Sequence, residues 1–256
     1  MTAAIPTAHR PAGSALGTLI RTETRLFLRD PVSLLVAVLL PAAVLGALGA
    51  VPALREPTEM FGGTTFVAYF APSLLAISIA QLGVQTLPQT LATYRERGVL
   101  RRYSATPVSP LTVLVVQLVV NVVTALLAAL LLLVVAIAVF GLPVPQHPVS
   151  FVLAVLLGTA AVFSLGLLIA AVAPRAKTAA GLGAVAFLLS LFFAGVYLPY
   201  FLLPEVFARI GEYMPPAIGA IKASWTGAGA SPLVLLVQAA IVVVASGLAA
   251  RLFRWE

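Results

Sequence analysis

The sequence predicts an all-α fold: a polytopic membrane protein with six transmembrane helices, an N-terminal in-plane amphipathic helix, and a candidate re-entrant hairpin on the outer side between spans five and six. Three observations predict it. Apolar residues make up 61% of the 256-residue chain and charged residues 9%, where soluble domains carry about 25% charged residues. Uncharged apolar runs that approach or exceed the ~20 residues needed to cross a bilayer recur along the chain. The arginines and lysines concentrate in alternate loops, as they do when one face of a bilayer retains them. The chain reads as a single transmembrane domain over 1–256.

Residues 15–29, ALGTLIRTETRLFLR, fit an amphipathic helix. At about 100° per residue Leu16, Leu19, Ile20, Leu26 and Phe27 share one face, and Arg21, Arg25 and Arg29 share the opposite one. Such a helix lies in the membrane plane with its arginines toward headgroups. A helical extension of the first span is the other reading, but Asp30-Pro31 favours a break, because the residue before proline is pushed out of helical geometry. Glu23 falls in the middle of the apolar face. A carboxylate there must be neutralised, paired or wetted. If the helix lies shallow, Glu23 reaches headgroup water. If the face packs on the bundle, Arg95 or Arg97 is the expected partner.

The spans are expected at 32–52, 65–88, 110–139, 149–173, 178–198 and 232–250. The third is long enough to tilt. Arg10, Arg21, Arg25 and Arg29 precede the first span; Arg95, Arg97, Arg101 and Arg102 separate the second and third; Arg175 and Lys177 separate the fourth and fifth; Arg251 and Arg254 follow the sixth. Only Arg55, Arg209 and Lys222 fall on the other side. Loops rich in Lys and Arg stay cytoplasmic, which puts both termini inside and requires an even number of spans. The net charge of +7 is thereby accounted for without a nucleic-acid partner.

Between spans five and six, residues 199–231 form an outer segment too apolar for an exposed loop. Pro204 and the Pro215-Pro216 pair bracket one short helix, with Val206, Phe207 and Ile210 on one face, and a second runs to about Trp225. The pair either dips back against the bundle as a hairpin or lies flat as a lid.

Much chemistry is missing. The expected spans contain no Asp, Glu, Lys, Arg or His, so no proton relay or buried ion pair is available. Cysteine is absent, the two histidines (His9 and His147) lie far apart, and no G-x-x-x-x-G-K-[ST] loop occurs. No catalytic, metal or cofactor residue is expected on this chain. If the apolar core moves a substrate, the drive is expected from another chain, an ion site made of backbone carbonyls alone being the other route.

That directs attention to RERGVLRRYSATPVSP, 95–110, the most charged stretch of the sequence. Gly98 suits the end of the helix leaving span two. Val99, Leu100 and Tyr103 then share one side of a short helix and Arg101-Arg102 another, and Ser109-Pro110 caps the third span. Tyr and Arg favour protein–protein hot spots, whereas an ordinary positive-inside loop would only meet anionic lipid. Within the spans, Gln81 and Gln85, and Gln117 and Asn121, are spaced to share helix faces. Gln81 and Gln117 are expected at similar depth and within reach of each other. They line a substrate path or merely hold helices together. Phe192 and Tyr197 are candidates for an apolar wall of that path or for lipid-facing aromatics. Gly181, Gly183 and Ala184 let a neighbouring backbone approach, from a second copy of the chain or from the same bundle.

YRERGVLRRYSATPVSP resembles the cytoplasmic loop of ABC-2-type permeases, the membrane subunits of bacterial ABC exporters of the daunorubicin-resistance type. Their pattern, approximately E-R-G-x-L-x-x-L-x-x-T-P-V-S-P, is matched by Glu96, Arg97, Gly98, Leu100 and Thr106 to Pro110, with Tyr103 in place of the second leucine. The stretch 192–216 is similar to the family's F-x-S-G-x-x-x-P…L-P…P-L, with Ala194 where serine is common. The resemblance implies a pair of permeases, this chain with a second copy or a homologue, in the bacterial plasma membrane. Each binds a cytoplasmic ABC ATPase subunit that carries ATP and magnesium. It also implies that the loop 95–110 is the coupling element, with Arg97, Gly98, Val99, Leu100, Arg101, Arg102 and Tyr103 at the ATPase contact. The expected cargo is an amphipathic or hydrophobic small molecule or lipid. A membrane scaffold that recruits a partner or anionic lipid through the same loop is the alternative.

Overall fold

The computed structural model describes residues 17, 20–25, 28–29, 35–99, 110–193 and 202–253. All regular structure among them is helical. A short N-terminal helix, α1, covers 20–25. It is followed by α2 (Leu35–Gly49), α3 (66–96), α4 (Pro110–Ala138), α5 (Pro148–Val172), α6 (Ala176–Phe193), α7 (Glu205–Tyr213), α8 (Ile218–Thr226) and α9 (Pro232–Leu252). Five of these, α3, α4, α5, α6 and α9, are long and apolar enough to cross a membrane. The candidate first span, α2, has 15 helical residues and opens with a π-turn at Leu35–Leu39.

Composition explains the helices. In hydrocarbon every backbone amide and carbonyl must be satisfied within its own segment, and a helix does this residue by residue. The ends are marked by the sequence. The Thr65 side chain accepts from the Ala68 amide at 3.1 Å at the start of α3, and prolines open α5 and α9, where no intrahelical N–H bond is needed. Several buried hydroxyls are satisfied within their own helix: Ser78 donates to Leu75 O, Ser164 to Ala161 O and Ser190 to Ala186 O, all within 2.9 Å. Leu127, Leu130, Val134, Leu236 and Val243 project outward and are exposed, as a bilayer-facing surface requires.

The second span departs from expectation. Its helix does not stop at 88 but continues to Glu96. Gln81–Thr86 forms a π-turn, and Pro88 falls in the first turn of the α segment that resumes after it. Proline is tolerated at that position. Beyond it the Thr90 and Thr93 hydroxyls bond back to Thr86 O (2.9 Å) and Gln89 O (2.7 Å). Gln81 therefore lies 15 residues, about 22 Å, from the end of its helix, far deeper than its sequence position suggested.

α3 is the hub, packed by α2, α4, α5, α6 and α8. Its crossing with α5 brings two glycines face to face: a Cβ on Gly166 would overlap Gly83 O, and one on Gly83 would stand 2.5 Å from Val162 Cγ1. α6 crosses α3 in the same way, with Gly183 against Val84 O, 2.5 Å from where a Cβ would be. α9 packs chiefly along α5.

Within the segment between α6 and α9, α7 and α8 pair as a helical hairpin. α8 buries Ile218, Ile221, Ser224 and Trp225 against the bundle. Trp225 donates from Nε1 to Pro143 O (2.8 Å) and meets Phe151 edge-on at 5.6 Å. At the other end of α8, Pro216 O touches Gly158, where a Cβ would overlap it. Gly158 is ten residues, about 15 Å, along α5 from Pro148. Gln238 of α9 donates to Tyr213 O at 2.8 Å. The hairpin thus stands lengthwise along α5 and does not lie across its end.

Candidate functional site

α3 carries two polar features in sequence. The first is a cavity of about 450 Å³ between α2 and α3. Gln81, Gln85, Thr86, Gln89, Thr90 and Thr93 line its α3 side, with Tyr94 at the end nearer the basic loop; Val36 and Ala37 of α2, together with Leu82, supply apolar surface. The π-turn produces this alignment. In an α-helix each four-residue step advances about 40° around the axis. The wider i→i+5 turn holds the face back, so Gln81, Gln85 and Gln89 stay on one line. The Thr86 hydroxyl bonds Gln81 O at 3.2 Å across the turn.

The second feature is a joint at the end of α3. Glu23 of α1 is buried. Its Oε2 accepts from Gln117 Nε2 of α4 at 2.7 Å and from the Tyr94 hydroxyl of α3 at 3.1 Å, and Gln117 Nε2 also donates to the hydroxyl oxygen Oη of Tyr94 at 3.1 Å. Three helices meet at one carboxylate. The next two residues of α3 hold two further helix ends. Arg95 donates through Nη1 to Ala170 O (3.4 Å) and through Nη2 to Ala173 O, covering orphan carbonyls at the C-terminus of α5. Glu96 Oε1 accepts from the Ala176 amide at 2.9 Å, the first N–H of α6. A cation at a helix C-terminus and an anion at an N-terminus also match the helix dipoles. The helix then ends: Gly98 has φ +65° and donates to Arg95 O at 3.0 Å. That left-handed geometry is open to glycine at least strain.

The expected site residues separate into groups. Gln81 and Gln85 line the cavity, but Gln81 does not pair with Gln117, because Gln117 is taken by Glu23 and Tyr94. Asn121 donates to Gln117 O of its own helix at 2.9 Å. Glu23 is not paired with Arg95 or Arg97. One residue on a helix is about 100° of rotation; Tyr94 faces α1 and α4 while Arg95 turns to α5, and Arg97 is exposed. Gly183 is occupied within the chain by Val84, so it is not open to a second copy. Gly181 has open space around it and Ala184 is half-buried. Phe192 stacks edge-on against Phe193 (5.2 Å) and Phe207 of α7 (6.1 Å), a wall between α6 and the hairpin. Val99 is half-buried. Leu100, Arg101, Arg102, Tyr103 and Tyr197 lie outside the described residues.

Sequence reasoning missed Gln89, Thr90, Thr93 and Tyr94. The signal is a polar stripe that continues the four-residue spacing of Gln81 and Gln85 beyond Pro88, past the expected end of the span.

The described residues form a helical bundle in which five helices are long and apolar enough to cross a membrane, with a cavity whose lining among the described residues is neutral and polar and with a helix-to-loop joint beside it. Residues 14–223 match the family described as ABC-2 type transporter. The chain belongs to that family and is a transporter permease. No curated protein matches it.

Proposed function

We propose that the chain is the permease subunit of an ATP-binding cassette exporter, moving an amphipathic or hydrophobic compound out of a bacterial cell. ATP hydrolysis takes place on a separate cytoplasmic subunit, and a second permease copy or homologue completes the pathway. α2 is counted as the first of six spans, which puts both termini and the loop 95–110 in the cytoplasm. The α7–α8 hairpin re-enters the bilayer from outside, its tip about 15 Å along α5.

The observation that carries this reading is the continuity of α3. One helix forms the cavity wall from Gln81 to Tyr94, grips the ends of α5 and α6 through Arg95 and Glu96, and leads at Gly98 into the basic loop. A push on that loop is delivered to the cavity through one packed element. The cavity lies in the half of α3 nearer the loop, where a compound from the cytoplasm or inner leaflet enters.

The test is co-purification with an ABC ATPase encoded alongside, followed by compound-stimulated ATP hydrolysis in lipid. Leu100→Asp with Arg101→Asp introduces charge into the contact and is expected to weaken ATPase association and abolish transport while insertion stays normal. Full association and transport in the double variant would leave the loop as a lipid-binding or scaffold element.

A further inference from the structure

The amides of Gln81, Gln85 and Gln89 face the cavity and have no hydrogen-bond partner among the described residues. Each offers two N–H donors and one acceptor. Thr86, Thr90 and Thr93 have committed their hydroxyl protons to helix carbonyls, so each presents an oxygen that only accepts. Among the described residues no charged side chain lines this space. The carboxylate beyond Tyr94, that of Glu23, is already engaged by Tyr94 and Gln117.

These facts select a ligand by exclusion and by fit. An ammonium or phosphate group moving into this space gives up hydration and meets no opposite charge among the described lining residues. A wholly apolar group leaves three amides unsatisfied at membrane depth. A neutral group dense in hydroxyls or amides exchanges its water bonds for those of the glutamines, while Val36, Ala37 and Leu82 accept an apolar portion. We propose that the α2–α3 cavity binds the uncharged, polyhydroxylated or amide-rich headgroup of an amphiphile. The proposal rests on the permease reading and names the substrate class of that same cavity.

The test uses the purified full chain in lipid nanodiscs, without an ATPase. Three radiolabelled amphiphiles of equal tail are compared by equilibrium dialysis below their micelle concentrations, with empty discs subtracted: octyl β-D-glucoside, octyltrimethylammonium and octyl sulfate. The glucoside is expected to bind saturably and about tenfold more tightly than either charged probe, the worth of one or two neutral hydrogen bonds. Gln85→Leu with Gln89→Leu is expected to erase that preference. Gln85→Glu is expected to transfer the preference to octyltrimethylammonium, a gain that a misfolded chain cannot produce. Equal binding of the three probes overturns the proposal, and so does a preference unmoved by these substitutions. Disulfide cross-linking of Gln85→Cys to its own copy, undiminished by the glucoside, overturns it in favour of a subunit interface. Selective binding without ATPase recruitment would keep the cavity assignment and remove the exporter reading, so the two fail separately.

Discussion

Gln117 of α4 donates a 2.7 Å hydrogen bond to Glu23 of α1, across 94 residues of sequence. The pair is buried, and Tyr94 completes it. Hydrogen bonds to a charged group are worth about 1.5–3 kcal/mol, and the cost of leaving one partner buried and unmatched exceeds the worth of the bond. Gln117→Leu is therefore expected to destabilise the chain by about 2 kcal/mol in urea titrations in mixed micelles. Glu23→Gln keeps an acceptor for the Tyr94 hydroxyl and is expected to cost less. The double replacement Glu23→Leu with Gln117→Leu is expected to cost less than the sum of its singles, because neither polar group is then stranded. Strict additivity would show that the bond contributes nothing.

The joint beside it makes a different prediction. Arg95 and Glu96 satisfy backbone groups that the α5 and α6 ends cannot satisfy themselves. Glu96→Ala frees the Ala176 amide. Hydrogen exchange in the first turn of α6 is expected to speed up by about fivefold, the equivalent of one ordinary hydrogen bond. Exchange in α9, which does not touch Glu96, is the internal control. No difference between the two segments would mean that the Glu96 contact is not held in solution.

The class of fold was legible because it rests on bulk properties: uncharged runs of bilayer length, and arginines in alternate loops. The misfit of Glu23 was legible too, since a helical wheel alone places a carboxylate on an apolar face. Its partner was not. Tyr94, Arg95 and Arg97 are neighbours in sequence but face different helices, and charge complementarity pointed to the arginines. The cavity was only half legible for a similar reason. Gln81 and Gln85 stand out in any apolar segment, whereas Gln89 joins them through a π-turn that has no simple sequence signature. Glycines gave a partial signal. The small residues of α6 form a visible cluster, but the isolated Gly83 and Gly166, which make the closest glycine approach, carry no pattern of their own.

That crossing is testable by volume. Gly166→Ala forces a methyl group into Gly83 O, a backbone atom that cannot rotate aside. Overpacking of this kind costs about 1–3 kcal/mol. Gly183→Ala meets Val84 O and is expected to behave alike, while Gly181→Ala meets open space and is expected to be neutral or slightly stabilising, as alanine is in helices. The order of melting temperatures in detergent, Gly181→Ala highest, checks the packing of α3 against α5 and α6 at once. A low value for Gly181→Ala together with a normal one for Gly183→Ala would mean that α6 is rotated the other way.

The α7–α8 hairpin provides the pH-dependent case. Lys222 on α8 is desolvated by burial, which lowers its pKa from 10.5 to about 8. Its ammonium lies over the Tyr69 ring at 4.1 Å, which favours the charged form without restoring lost hydration. The folded state releases this proton near pH 8 and the unfolded state near 10.5, so between those values the unfolded chain binds more protons. Stability must then rise with pH across that window. Below pH 8 both states are protonated and the full burial cost applies, on the order of 3 kcal/mol for a shift of this size. Lys222→Met removes the cost while keeping an unbranched chain. The variant is expected to melt higher than the parent at pH 7, and the gap between them is expected to narrow steadily toward pH 10. Comparing the pair cancels other groups that titrate in the same range. A gap that stays constant with pH would mean that the Lys222 ammonium reaches water and that α8 does not seal it against the bundle.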